Sequence, residues 1–269
     1  MEDKLIEIRN LRICFQSDFA DREVTDGISF SIARGKITGI VGESGCGKSV
    51  TSLAVMGLLA KNGRVSEGEI LFDGMDLLKL SEEEKDQIRG SRICMIYQDA
   101  LASLDPVFTI GNQLTEAVIA HQEKDKKKAA RLAVEYLEKV GLPDAEAAMK
   151  KYPHELSGGM RQRASLLRTF LSSGDILLLD EPFGAVDSIT RRKLQQWLID
   201  VSKSLGLTIL LITHDVEEAV LLSDRIYVLS EKPTIVRDEI DVEFCRDQKN
   251  SRLFDPAFLE VKKRILEDL

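Results

Sequence analysis

The chain has 269 residues, enough for one large or two small domains with a real core. Its 43% hydrophobic, 30% charged and 6% aromatic residues exclude collagen-like, low-complexity and disulfide-scaffold chains. Against 45 acidic residues stand 37 basic ones, a formal charge of −8, so the chain as a whole has no electrostatic pull toward nucleic acid or anionic lipid and any phosphate must be held locally.

The first ten residues, MEDKLIEIRN, carry acids where a secretory signal would carry a basic and then an apolar region, which predicts a cytosolic chain. Short β-type runs then alternate with amphipathic helical runs, the pattern of an α/β fold with a mostly parallel sheet. Strands are predicted over Leu5 to Ile8, Ser29 to Ile32 and Lys36 to Val41, a helix over Lys48 to Leu59, and strands over Glu69 to Phe72 and Arg92 to Tyr97. Between Asp99 and Gly174 the alternation stops and helical patterning dominates, including Lys126 to Val140 and Arg161 to Leu171; a helical subdomain inserted between two strands is expected there. The alternation resumes with strand Ile176 to Leu179, helix Thr190 to Leu205, strand Thr208 to Ile212, helix Val216 to Leu222 and strand Arg225 to Leu229. An extended segment with Pro233 and a polar stretch from Cys245 to Ser251 lead to a final helical run, Pro256 to Leu269, read as a C-terminal appendage. The most apolar stretches fall far short of the roughly 20 residues that span a bilayer, so any membrane spans are expected from another chain. Cys14, Cys46, Cys94 and Cys245 stand far apart without zinc-ligand spacing, and the mixed-sign run Glu123 to Lys128 reads as solvated surface.

The first predicted helix follows Gly42-Glu43-Ser44-Gly45-Cys46-Gly47-Lys48-Ser49, which matches GxxxxGK[ST] in the strand-to-helix context the motif needs. Glycines let the backbone curl so that successive N–H groups face phosphate oxygens, where the positive end of the following helix adds its field. Lys48 is expected to reach the β- and γ-phosphates and the Ser49 hydroxyl to ligate Mg²⁺. Cys46 reads as a small residue with a usable N–H rather than a redox sensor, since cytosolic thiols are normally reduced. The apolar run Ile176 to Leu179 ends in Asp180 and Glu181, at the carboxyl end of a buried parallel strand where ligands bind. Asp180 is expected to hold Mg²⁺ through water opposite Ser49, and Glu181 to polarise the water that attacks the γ-phosphate. A second apolar strand ends in Thr213-His214-Asp215, where His214 is open between a site residue and the neighbour of a helix cap.

Leu156-Ser157-Gly158-Gly159-Met160-Arg161-Gln162-Arg163 resembles the LSGGxxQR signature of the ATP-binding cassette (ABC) ATPases, and it lies between the phosphate loop and Asp180-Glu181 in that family's order. The resemblance covers roughly residues 4 to 240. It implies a P-loop NTPase core with a mostly parallel sheet, an antiparallel N-terminal β subdomain and an inserted helical subdomain. The cassette would occupy 1–240, with the insertion at about 99–174 and a helical extension over 241–269. By the same resemblance Gln98 looks like the glutamine that contacts Mg²⁺ and water and senses the transmembrane partner, Gly184-Ala185-Val186-Asp187 the D-loop, and His214 the histidine that contacts the γ-phosphate. Phe15, with Phe19 nearby, resembles the aromatic that stacks on adenine. ATP would lie between the phosphate loop of one subunit, Gly42 to Val50, and the signature of the other, Ser157, Gly158, Gly159 and Gln162. Three residues at a helix start form a second anion-binding N-terminus, which suits that arrangement. Val50 replaces a common threonine, Phe15 a common tyrosine, and Gly184 and Val186 depart from SALD; none of these changes removes a catalytic group.

The resemblance also implies permease subunits, a second ATPase subunit (a copy of this chain or a paralogue), an extracytoplasmic solute-binding protein, no nucleic acid, and a peripheral place on the cytoplasmic face of the cell membrane. Tyr97 to Gly111 looks like peptide and nickel importers. Glu181 to Asp187, Thr190 to Gln195, Leu222 to Ser230 and Asp255 to Leu259 look like nitrate, sulfonate and taurine importers, and the expected solute leans that way, with a peptide or nickel importer as the alternative. A soluble non-transport ABC ATPase would need tandem cassettes, a long coiled coil or zinc-binding cysteines, and a P-loop kinase would not explain Leu156 to Arg163. Gln98 to Leu104 is expected either to receive a permease helix or to pack under the helical subdomain.

Overall fold

The computed structural model describes residues 3–17, 21–96, 104–121, 123–172, 174–184, 187–243 and 255–269. In chain order its elements are β1 (Lys4–Phe15), β2 (Arg22–Ala33), β3 (Ile37–Val41), α1 (Lys48–Val55), β4 (Gly63–Phe72), β5 (Met75–Asp76), α2 (Glu82–Ile88), β6 (Ile93–Ile96), α3 (Ile110–His121), α4 (Lys126–Lys139), α5 (Ala145–Lys150), α6 (Gly158–Ser172), β7 (Ile176–Asp180), α7 (Ser188–Leu205), β8 (Thr208–Thr213), α8 (Val216–Leu222), β9 (Arg225–Leu229), β10 (Val236–Asp241) and α9 (Pro256–Asp268). They form two compact units, Met1–Asp86 with Thr208–Leu269, and Gln87–Leu207.

The first unit holds an antiparallel sheet in the order β2-β1-β4-β5 and a run of strands β10-β9-β3-β8 in which β9, β3 and β8 are parallel. Every residue of β3 and β8 is buried, as continuous apolar runs covered on both faces should be. β1, β2 and β4 run well beyond the predicted Leu5 to Ile8, Ser29 to Ile32 and Glu69 to Phe72. Their alternation is interrupted where Asn10 takes a φ of +47° and the β1 register shifts against both neighbours. Gly27 and Gly68 sit against that bulge: a Cβ at Gly27 would come 2.6 Å from Asn10 Oδ1, and one at Gly68 would come 2.4 Å from the Asn10 carbonyl oxygen. The helix predicted to Leu59 stops at Val55, because Gly57 turns the chain with a φ of +63°.

The final helix is part of this unit's core rather than a free appendage. Phe258 and Ile265 of α9 share one buried cluster with Val41, Val220, Ile226, Val228 and Ile240. The Arg264 guanidinium also grips the Asp238 carboxylate with two bonds of 2.6 Å.

In the second unit β6 and β7 pair in parallel, with Ile96 opposite Leu179. Helices α3 to α6 lie between these strands in sequence, and α7 follows them. Asp125 caps α4 by accepting from the Lys127 and Lys128 N–H groups, so part of the mixed-sign run serves a helix start. Stacked Phe170 and Trp197 rings, 5.7 Å apart, join α6 to α7.

Candidate active site

In the first unit the carboxyl ends of three parallel strands make one edge. Val41 is level with Thr213 of β8 and Val228 of β9, so Gly42 and His214 leave adjacent strands at the same end. A Cβ at Gly42 would come 2.9 Å from Cys46 Sγ and 3.1 Å from the Leu229 carbonyl oxygen, so this position has no room for a side chain. The loop closes as the Cys46 N–H donates to the Glu43 carbonyl at 3.2 Å, and it enters α1 through Gly47 at a φ of +113°. Thr51 Oγ1 donates back to the Gly47 carbonyl at 3.1 Å. From outside the loop, the Thr234 hydroxyl donates to the Cys46 carbonyl, while the Thr234 N–H donates to Val24 of β2 at 2.9 Å. Thr234 thus braces the phosphate loop from a point remote in sequence, and no motif marks it.

Lys48 is 5% exposed. Its Nζ donates to the Gly42 carbonyl at 2.7 Å and to the Glu43 carbonyl at 2.8 Å, and Cys46 Sγ stands 3.9 Å away. An ammonium has three donors; two are held by carbonyl oxygens and the third meets only the thiol sulfur, a weak acceptor that an anion would outcompete. Ser44, Gly45 and Ser49 are exposed, and a Cβ at Gly45 would meet nothing within 4 Å. The loop therefore combines an ammonium, an exposed hydroxyl and a glycine-opened backbone at a helix start, the chemistry that suits a phosphate.

His214 is exposed. Asp215 beside it caps α8, accepting from the Glu218 N–H at 3.2 Å, and its own N–H donates to Thr213 Oγ1 at 3.0 Å. The histidine is thus a helix-cap neighbour that also sits on the phosphate-loop edge. Phe15 is half-buried at the end of β1, opposite Gly63, where a Cβ would come 2.8 Å from its ring.

In the second unit β7 delivers Asp180, 7% exposed, and then Glu181 with a φ of +48°. A left-handed conformation costs a non-glycine residue about 1–3 kcal/mol and persists only where its surroundings hold it. Here the Gly184 N–H closes a turn on the Glu181 carbonyl at 3.2 Å, and Pro182 and Phe183 are buried beneath it.

The start of α6 carries Ser157 and Gly158, both exposed, and the half-buried Gly159. Met160 N–H reaches Ser157 Oγ at 3.4 Å, and a Cβ at Gly159 would lie 3.4 Å from Thr190 Cγ2 of α7. Gln162, grouped with these residues in the sequence, lies apart from them at 3% exposure, with Nε2 donating to the Pro182 carbonyl at 2.9 Å. Asp187 caps α7, accepting from the Ile189 and Thr190 N–H groups at 3.1 Å. The Thr190 N–H first, and then its hydroxyl, hold the Asp187 carboxyl below the usual range.

Gln98 lies outside the described residues, as do Phe19, Cys245 and the stretch from Gln98 to Ser103. Leu104, the residue that ends the expected docking segment, is buried. Among the described residues no group of three or more His, Cys, Asp or Glu could hold a metal ion, and no helix is long and apolar enough to cross a membrane.

The family model described as ABC transporter matches residues 25–184. The dipeptide transport ATP-binding protein DppD of Lactococcus lactis is 41% identical over 215 residues, covering 80% of this chain and 62% of its own length. The oligopeptide transport ATP-binding protein OppD of Bacillus subtilis is 39% identical over 227 residues, covering 84% and 63%. The chain therefore spans less than two thirds of the length of these two relatives. Among solved structures, the bacterial ABC transporter cassette MJ0796, solved as a dimer, is similar with a TM-score of 0.72 at 25% identity over 89% of this chain and 100% of its own. The cbiO1 protein of Clostridium perfringens shares the fold, with a TM-score of 0.77 at 23% identity over 99% and 97%.

Proposed function

Because the chain belongs to the ABC transporter family, we propose that it is the ATP-hydrolysing subunit of a peptide importer. The observation that carries the reading is the phosphate loop, where a buried ammonium, held by two loop carbonyls and a weak thiol acceptor, stands at the carboxyl edge of parallel strands where α1 begins.

In this role Lys48 takes the γ-phosphate with the donor that otherwise meets Cys46 Sγ, and the loop amides take the β-phosphate. His214, leaving the sheet beside Gly42, donates to a γ-phosphate oxygen. Glu181 accepts a proton from the attacking water and orients it for in-line displacement. Phe15 offers its ring to the adenine. Ser157, Gly158 and Gly159 offer an exposed helix start to a nucleotide bound by a second ATPase subunit, and Asp187 belongs to that same contact.

The Ser49 hydroxyl and the Asp180 carboxylate are hard oxygen donors of the kind Mg²⁺ takes. An ion that keeps waters and phosphate oxygens in its shell does not need the cluster of protein carboxylates that is missing among the described residues. When bound, Mg²⁺ would neutralise phosphate charge. Gln98 is assigned to the same shell by resemblance alone.

Two such subunits close on two ATP molecules and move a separate permease, on the cytoplasmic face of the membrane, that receives solute from a binding protein. The lean toward nitrate, sulfonate or taurine gives way to the peptide alternative, because the DppD and OppD relatives are named for dipeptides and oligopeptides. The tail resemblance that supported the first reading lies partly in α9, which packs against this chain's own core.

Two measurements test the proposal. Glu181→Gln should abolish steady-state ATP hydrolysis and leave a stable ATP-bound dimer; wild-type turnover in that variant would remove the role given to Glu181. With its permease in proteoliposomes, the chain should drive ATP-dependent uptake of a short peptide, and uptake of taurine or nitrate instead would restore the first reading.

A further inference from the structure

We propose that Gln162 is a positioning residue that aims Glu181 of its own subunit, rather than a ligand of the nucleotide held by a partner. What Glu181 does rests on the functional reading above; what Gln162 does rests on the geometry of the second unit.

Ser157 and Gly158 at the start of α6 are exposed, but Gln162, one turn further on, is 3% exposed. A side chain that reads a phosphate on another subunit must present its donor at the surface, and this one spends its donor internally. Nε2 gives its hydrogen bond to the Pro182 carbonyl at 2.9 Å, and Oε1 is buried with no partner among the described residues. The amide cannot turn around, because the reversed group would set Oε1 against a carbonyl oxygen. A buried, unpartnered amide oxygen is destabilising, so the glutamine is poorly explained as packing alone.

The bonded residue is the one best suited to control Glu181. Pro182 has no N–H, and its ring already fixes φ, so anchoring its carbonyl removes the remaining main-chain freedom of that residue. Glu181 just before it holds a φ of +48°, which a glutamate leaves readily unless restrained. A second bond on this turn runs from the Gly184 N–H to the Glu181 carbonyl. One side chain on the signature helix therefore helps to cage the residue that carries the water-polarising carboxylate.

The test uses the full chain with Gln162→Met, which keeps length but loses the donor, and Gln162→Glu, which keeps shape and donates only when protonated. In Gln162→Met, kcat for ATP hydrolysis should fall about tenfold or more while KM and equilibrium ATP binding stay within about twofold of wild type. Gln162→Glu should be similarly slow at alkaline pH and recover relative to wild type as the pH is lowered, because the protonated carboxyl again donates to Pro182. The Gly184 amide should exchange hydrogen faster in both variants at neutral pH. A raised KM with kcat preserved would mark a nucleotide contact and overturn the proposal, as would turnover within twofold of wild type or unchanged exchange at Gly184. If Gln162→Met does not fold, the pH profile of Gln162→Glu decides. If the wild-type chain binds ATP without hydrolysing it, the functional reading fails, and exchange at Gly184 still decides whether Gln162 holds the turn.

Discussion

Gly47 is constrained twice. Its φ of +113° suits only glycine, and a Cβ would come 2.9 Å from Val24 Cγ1 on β2. Gly47→Ala is expected to destabilise the chain by about 1–3 kcal/mol and to weaken ATP binding about tenfold or more, because the strain falls on the residue that aims Lys48. Calorimetric titration with ATP measures this, and unchanged affinity would separate the loop's conformation from its function. The loop was legible because a phosphate site needs a local run of glycines, a lysine and a hydroxyl, all set by spacing along the chain. Thr234 was not legible, since it reaches the loop through folding alone. Gln162 was legible as part of a motif but not as a buried group, because a motif records neighbours in sequence and not the Pro182 carbonyl that the side chain meets.

Helix α9 depends on its cluster and on one fork. Burial acts to raise the Asp238 carboxyl, but the Arg264 fork outweighs it and holds the group below its ordinary value. A carboxyl depressed by folding adds stability above its unfolded value of about 3.9, and that contribution is lost as the pH falls through the lower folded value. Denaturation of Arg264→Met against wild type should therefore show its largest difference near neutral pH and a vanishing one in strong acid. A difference independent of pH would mean that Arg264 acts through its aliphatic stem. At this scale the parallel strands were readable, because continuous apolar runs such as Ile209 to Ile212 have one good reading. The N-terminal strands were only half readable, since the bulge at Asn10 breaks their alternation. Helix α2 did carry a local signal that was passed over, with Ser81 and Glu84 forming a reciprocal cap of 2.8 Å and 3.3 Å bonds.

Across the whole molecule, a chain of net charge −8 holds a polyanion only because the attraction is confined to one loop and the helix starts. ATP at about 100 times its dissociation constant should then stabilise the folded chain by about 2.7 kcal/mol, a rise of several degrees in melting temperature. Lys48→Ala should abolish the rise, and a rise that survives would place the nucleotide elsewhere. The solute was not legible for a related reason: the recognised motifs are those of phosphate chemistry, and none of them needs to differ between one solute and another. Asn10, Gly27 and Gly68 bear on how such a chain can change over generations. Both glycines hold a positive φ that a side chain would strain, and the steric obstacle is the Asn10 amide oxygen at Gly27 but the Arg9 and Asn10 main chain at Gly68. A shorter residue at position 10 would relieve crowding at the first glycine and never at the second. The cost of a side chain at position 27 is thus partly conditional on position 10, while that at position 68 is not, an ordering imposed by one bulge.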